Sequence, residues 1–247
     1  MNCIPKIIHY CWFGGKEKPD LIKKCMATWK EKLPDYEIKE WNENNFDIKS
    51  SDFAYNAYKN KKWAFVADYC RISVLLNEGG IYLDTDMEVI KSFDALLNNE
   101  AFAGVELVKD NEFEINAAIW GCKKGDKFLE KILNYYDNLN FNDYTDNLFD
   151  LAIPKIITML AKKEGYTGNN FPEKLSNGTM IYSKESFYPK NKSWAVPTIT
   201  ENTYTIHHYE GSWRSPIQIY RSKLKNVLIK IFGYERVEKI VGKIKKK

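Results

Sequence analysis

No two of the five cysteines in this 247-residue chain are spaced C-x-x-C, and the count is odd. That excludes a zinc ribbon or a paired-thiol redox motif and argues against a disulfide framework, so a reducing cytoplasm is the expected compartment. No apolar run approaches the roughly 18 residues that a spanning helix needs. Pro5, Lys6 and His9 interrupt the first apolar stretch, so no signal peptide is expected. The sequence has no internal repeat and no low-complexity linker. A chain of this length, 44% hydrophobic and 28% charged, is enough for one sizeable α/β domain.

Two features stand out from that ordinary background. Aromatics reach 15%, with 16 Tyr and 7 Trp, which suits sugar-binding faces and aromatic cores alike. The net charge of +4 is unevenly placed: from Arg214 onward eleven Lys and Arg face only Glu235 and Glu238, a local +9 that leaves residues 1–213 at −5. The chain divides on this basis into a domain over 1–213 and a basic amphipathic helical tail over 214–247.

Periodicity gives the order of elements. Lys6 to Trp12 reads as a buried strand ending at Gly14-Gly15, Leu21 to Lys32 as a helix after Pro19, and Tyr36 to Trp41 as a second strand. Helices follow over Asp52–Asn60 and Lys62–Asn77, then a strand over Ile81–Asp84, with Met87 to Ile90 continuing past it. Strands are expected at Ala101–Val108, Glu114–Cys122 and Tyr204–His208, and an amphipathic helix at Asp126–Asn138. This alternation predicts a mostly parallel central sheet flanked by helices, with ligands at the carboxyl ends of its strands. Trp12, Asp84 and Asp86 lie at such ends.

The stretch Gly79-Gly80-Ile81-Tyr82-Leu83-Asp84-Thr85-Asp86 delivers two carboxylates, two residues apart, at a strand tip. Strand alternation puts them on one face. Hard oxygen ligands in that arrangement suit Mg2+ or Mn2+, with open positions for a substrate phosphate. A solvated turn is the plainer reading of an isolated Asp-x-Asp. Upstream, Ala64, Asp68, Arg71 and Leu75 share one helical face. Asp68 and Arg71 are either an i,i+3 ion pair or, on so apolar a stripe, ligands for something polar.

Together Ala64-x-x-x-Asp68-x-x-Arg71 and Gly79-Gly80-Ile81-Tyr82-Leu83-Asp84-x-Asp86 resemble the DXD glycosyltransferases of the capsular-polysaccharide and yeast initiating-mannosyltransferase group, and the glucosyltransferase domains of the large clostridial toxins. The opening Ile4-Pro5-Lys6-Ile7-Ile8-His9-Tyr10-Cys11-Trp12-Phe13-Gly14-Gly15 and the late Ile206-His207-His208-Tyr209-Glu210-Gly211-Ser212-Trp213 resemble that group's first strand and closing motif. The resemblance implies a single GT-A (Rossmann-like) domain and retaining transfer from a nucleoside-diphosphate sugar. It places Asp86 on the metal and Asp84 on the metal or the ribose. It puts Trp12 where relatives stack uracil, Asp68 and Arg71 on donor sugar hydroxyls, and Asn116 near the anomeric carbon. Ser212 would assist the metal or diphosphate, and Trp213 would close over the donor.

Tyr82 is either a nucleotide contact or a core aromatic, and Trp12 and Asn116 have structural alternatives as a core indole and a strand-end cap. His207 and His208 point to opposite faces of a strand, so one of them at most reaches a metal held by Asp84 and Asp86. The expected cofactor is Mn2+ or Mg2+. The expected partners are a UDP-sugar, or GDP-mannose, and a glycan or lipid-linked acceptor in bacterial surface-polysaccharide synthesis; no nucleic-acid motif is present. Tyr220, Leu224, Val227, Leu228 and Ile231 recur at helical spacing among basic residues. That stripe either binds an anionic membrane at its cytoplasmic face or packs on the domain. Two rival readings are a haloacid-dehalogenase-type phosphohydrolase, in which Glu88 stands where Thr or Val is expected, and a non-catalytic nucleotide-sugar or glycan-binding protein.

Overall fold

Apolar, β-branched Ile7 and Ile8 open strand β1 (Ile7–Cys11). Pro19 then starts helix α1 (Asp20–Lys32), with Asp20 in its first turn and Lys30 and Lys32 in its last, as the helix dipole favours. Strand β2 (Glu37–Trp41), helix α2 (Asp52–Lys59) and helix α3 (Trp63–Glu78) follow. Next come β3 (Gly80–Leu83), β4 (Met87–Val89), and the long hairpin strands β5 (Ala101–Lys109) and β6 (Glu112–Cys122). Helices α4 (Lys127–Asp137) and α5 (Ile153–Lys162), strands β7 (Glu173–Lys174) and β8 (Thr179–Tyr182), the short α6 (Lys184–Phe187) and β9 (Thr205–His207) complete the order. The computed structural model describes residues 3–109, 112–144, 147–190 and 195–210, with 224, 227–229, 231–233 and 236–237 of the C-terminal segment. It divides into two units, Met1–His208 and Tyr209–Lys247.

In the first unit seven strands form one sheet in the order β2-β1-β3-β6-β5-β8-β7. The β1 ladders with β2 and β3 and the β5 ladder with β8 are parallel; β6 and β7 run against their neighbours. Five of the seven strands therefore point the same way, a mostly parallel mixed sheet. Strand alternation divides the core between its faces. Tyr82 and Trp120 pack with Val66, Cys70 and Leu75 of α3 and with α4 and α5, whereas Ile81 and Leu83 pack with Trp29 of α1 and with Phe187 and Tyr188.

The glycine pair between α3 and β3 has a steric cause. Gly79, at φ +70°, caps α3 by donating to the Leu75 carbonyl at 2.8 Å. At Gly80, φ +101°, a β-carbon would stand 2.8 Å from the Ile7 carbonyl oxygen and 3.0 Å from His9 Nε2. Only glycine lets β3 close on β1 there. The structure departs from expectation after Asp86. Met87–Val89 does not extend β3 but leaves the main sheet and pairs antiparallel with β9, Met87 opposite His207.

Candidate active site

The two carboxylates converge through a turn rather than through strand alternation. Strand β3 stops at Leu83, and the Met87 amide donates to the Asp84 carbonyl at 3.0 Å, so Asp84, Thr85 and Asp86 bend back together. The Asp84 amide donates to Ala118 of β6 at 2.8 Å, which fixes the turn to the sheet. Across the β4–β9 ribbon the His208 amide donates to the Asp86 carbonyl at 3.1 Å. This brings His207 Nε2 to 3.3 Å from Asp86 Oδ1. One ligand atom from each of Asp84, Asp86 and His207 then lies within 4.8 Å of the others.

Arg71 supports this group from α3. Its Nη2 lies 2.9 Å from Asp68 Oδ1 and 3.3 Å from Asp84 Oδ1, and its Nη1 donates to the Ala117 carbonyl of β6 at 2.8 Å. The guanidinium sits over the Tyr82 ring at 4.4 Å, and the Tyr82 hydroxyl donates to Asp84 Oδ1 at 3.0 Å. A planar fork suits this task, because one side chain meets two carboxylates and a carbonyl at once. Burial pushes the Asp68 carboxyl up to about 7, against the pull of Arg71 and with Asp84 adding to the rise. For His207, burial works downward, but Asp86 and Asp84 outweigh it and the net shift is upward. The third histidine is structural. His9 Nδ1 accepts from Trp41 and Nε2 donates to the Gly79 carbonyl, and burial lowers its pKa, so it sits neutral.

The geometry sorts the remaining candidates. His208 turns away from the carboxylate pair, with its Nε2 2.7 Å from Glu88 Oε2, so it is not a fourth ligand here. Tyr82 is 1% exposed and cannot present a face to a nucleotide; it is a core aromatic that positions Asp84. Trp12 is partly buried just beyond β1, with its indole N–H on the Lys16 carbonyl and the Lys18 ammonium 5.3 Å over its ring. Asn116 is more than a cap: its Oδ1 accepts from the Ala118 amide at 2.8 Å and its Nδ2 donates to Glu106 Oε2 at 2.6 Å. Ser212 and Trp213 lie outside the described residues. Two residues without any signal in the sequence also adjoin the group. The Tyr188 ring meets His207 edge-on, with centroids 5.9 Å apart, and its hydroxyl donates to the Asn116 carbonyl at 3.2 Å. Glu106 is the second.

Two carboxylates and an imidazole fit a hard or borderline divalent ion such as Mn2+ or Mg2+, and three protein ligands leave positions for water or phosphate.

Residues 19–103 match the family described as glycosyltransferase sugar-binding region containing DXD motif. Over 143 residues the chain is 27% identical to inositol phosphoceramide mannosyltransferase 3 of Schizosaccharomyces pombe, a match covering 56% of this chain and 39% of that protein. The chain thus spans about two fifths of that relative's length. Among solved structures it is similar to PaToxG glycosyltransferase, at 23% identity and a TM-score of 0.54, over 66% of this chain and 70% of that one. The matched sequence region contains the Asp84–Asp86 turn, and the architecture carrying it is the GT-A glycosyltransferase fold.

Proposed function

We propose that this chain is a metal-dependent glycosyltransferase that moves a sugar from a nucleoside-diphosphate donor to a glycan acceptor, with retention of anomeric configuration. The observation that carries the reading is the convergence of Asp84 and Asp86, both inside the matched DXD region, with His207 from beyond it, buttressed from beneath by Arg71. An ion held by these three residues supplies positive charge against the departing diphosphate. The chain's own residues set that arrangement up. Arg71 and Tyr82 fix the Asp84 carboxylate, the β4–β9 ribbon fixes Asp86 against His207, and Asp68 and Asn116 border the group with polar atoms suited to sugar hydroxyls. A UDP-sugar is the first donor to test and GDP-mannose the second; the yeast relative is a mannosyltransferase by name. A capsular-type lipid-linked acceptor at the cytoplasmic face of a bacterial membrane would match the basic tail.

The test is a donor screen. UDP-glucose, UDP-galactose, UDP-N-acetylglucosamine and GDP-mannose are incubated with the protein, with and without Mn2+, and nucleotide release is measured. Release of UDP or GDP that requires the ion is expected for at least one donor. No release and no thermal stabilisation by any donor, at saturating Mn2+, would overturn the proposal.

A further inference from the structure

Glu106 breaks a local rule without a structural reason. It stands directly opposite Glu114 in the β5–β6 ladder, and like charges in that relation oppose pairing. Burial already raises the Glu114 carboxyl, and Glu106 adds to the rise. Its side-chain hydrogen bond among the described residues, accepting from Asn116 Nδ2, is one that a glutamine carbonyl would make equally well. Departures of this kind concentrate at functional positions.

Its location points to the ligand. The ladder shifts register between Ala103 and Gly104, so that Ala103 pairs with Trp120 but Gly104 pairs with Asn116. Residues 117–119 of β6 fall outside the β5 register; Ile119 lies opposite Leu83 of β3, the Ala118 carbonyl accepts from the Asp84 amide, and the Ala117 carbonyl accepts from Arg71. From the Asp84 amide a short relay therefore runs through Ala118 to Asn116 Oδ1, and from Asn116 Nδ2 to Glu106 Oε2. Tyr188 links the same Asn116 to His207. Glu106 is thus joined by two routes to the carboxylate–imidazole group, on the hairpin that borders it. It is partly exposed, and Oε2 is the oxygen committed to Asn116. A carboxylate that accepts strongly from hydroxyls but repels phosphate suits the sugar end of a donor, not its diphosphate.

We propose that Glu106 is a donor-sugar-binding residue, accepting a sugar hydroxyl at Oε1 while Oε2 holds Asn116. This rests on the glycosyltransferase reading above. The test compares Glu106→Gln with the unaltered protein in Mn2+, titrating UDP, GDP and the same four nucleotide-sugars by calorimetry. The glutamine keeps the Asn116 bond and removes the clash with Glu114, so its Tm should not fall. Affinity for UDP or GDP should stay the same, while affinity for the matching nucleotide-sugar drops about tenfold, as a lost hydrogen bond to a charged group implies. Glu106→Asp, which keeps the charge, should recover part of that loss. Unchanged nucleotide-sugar binding in Glu106→Gln would overturn the proposal and leave Glu106 as a support for Asn116. If neither UDP nor GDP binds the unaltered protein, the glycosyltransferase reading fails first.

Discussion

Arg71 is buried between two carboxylates, and its charge is held well above its ordinary pKa: burial opposes this, but Asp84, Tyr82 and Asp68 prevail. Removing one member of such a set leaves uncompensated charge in the interior. Arg71→Met should therefore cost about 3–5 kcal/mol of stability, read from the urea midpoint; a loss under about 1 kcal/mol would mean that water screens the pair. Asp86 belongs to the metal reading instead. It is 8% exposed and faces His207. Asp86→Asn should keep the fold by circular dichroism and lower Mn2+-dependent donor turnover at least about a hundredfold, the few kcal/mol such an ion supplies. Turnover near that of the unaltered chain would remove Asp86 from the ligand set. The side chains of this site were unequally legible. Asp84, Asp86 and Arg71 are legible from their spacing together with the flanking motifs, not from spacing alone. Glu106 does not, because its partner is ten positions away across a hairpin whose register slips between them.

At the scale of elements, the α3–β3 corner depends on the absence of two side chains. Gly80→Ala places a methyl group against the Ile7 carbonyl at a backbone angle that alanine resists. A loss of more than about 1 kcal/mol in thermal or urea unfolding is expected; an unaffected Tm would show that β1 and β3 can part cheaply. In the tail, Leu224, Val227, Ile231 and Phe232 are 46–65% exposed, while Ile229 and Val237 are buried. The first four of these described residues thus expose apolar surface within a segment of charge +9. Each basic group near an anionic bilayer contributes about 1 kcal/mol, screened by salt. The full chain should co-sediment with phosphatidylglycerol vesicles at low salt, and Leu224→Ser with Ile231→Ser should weaken this at unchanged charge. Protein that stays in the supernatant at low salt would end the membrane reading. From β1 to α4, and at β9, helices and strands fall within one or two residues of their sequence boundaries, because glycine, proline and apolar period mark them locally; residues 139–190 read only as mixed helix and loop, and α5, β7, β8 and α6 lie there. The β4–β9 pairing carries no such mark. Two short segments meet there across most of the domain, and no turn signal joins them.

The whole molecule should carry a pH signature from Asp68. Its folded pKa, about 7, lies above the ordinary 3.8, so the stability it contributes is full below about pH 4 and is lost as pH rises through 7. Asp68→Asn should flatten the dependence of Tm on pH between about 4 and 8; a profile as steep as that of the unaltered chain would place the titration elsewhere. The ribbon that seats His207 against Asp86 has a consequence for how the protein is made. Position 86 leaves the ribosome long before position 207, and until β9 arrives the carboxylate pair lacks its imidazole. Contacts so distant in sequence are late to form. A nascent chain is thus without the complete three-residue site until its last strand docks, and binding an ion would then fasten the beginning of that long loop to its end, so that cofactor capture and completion of the domain become one event.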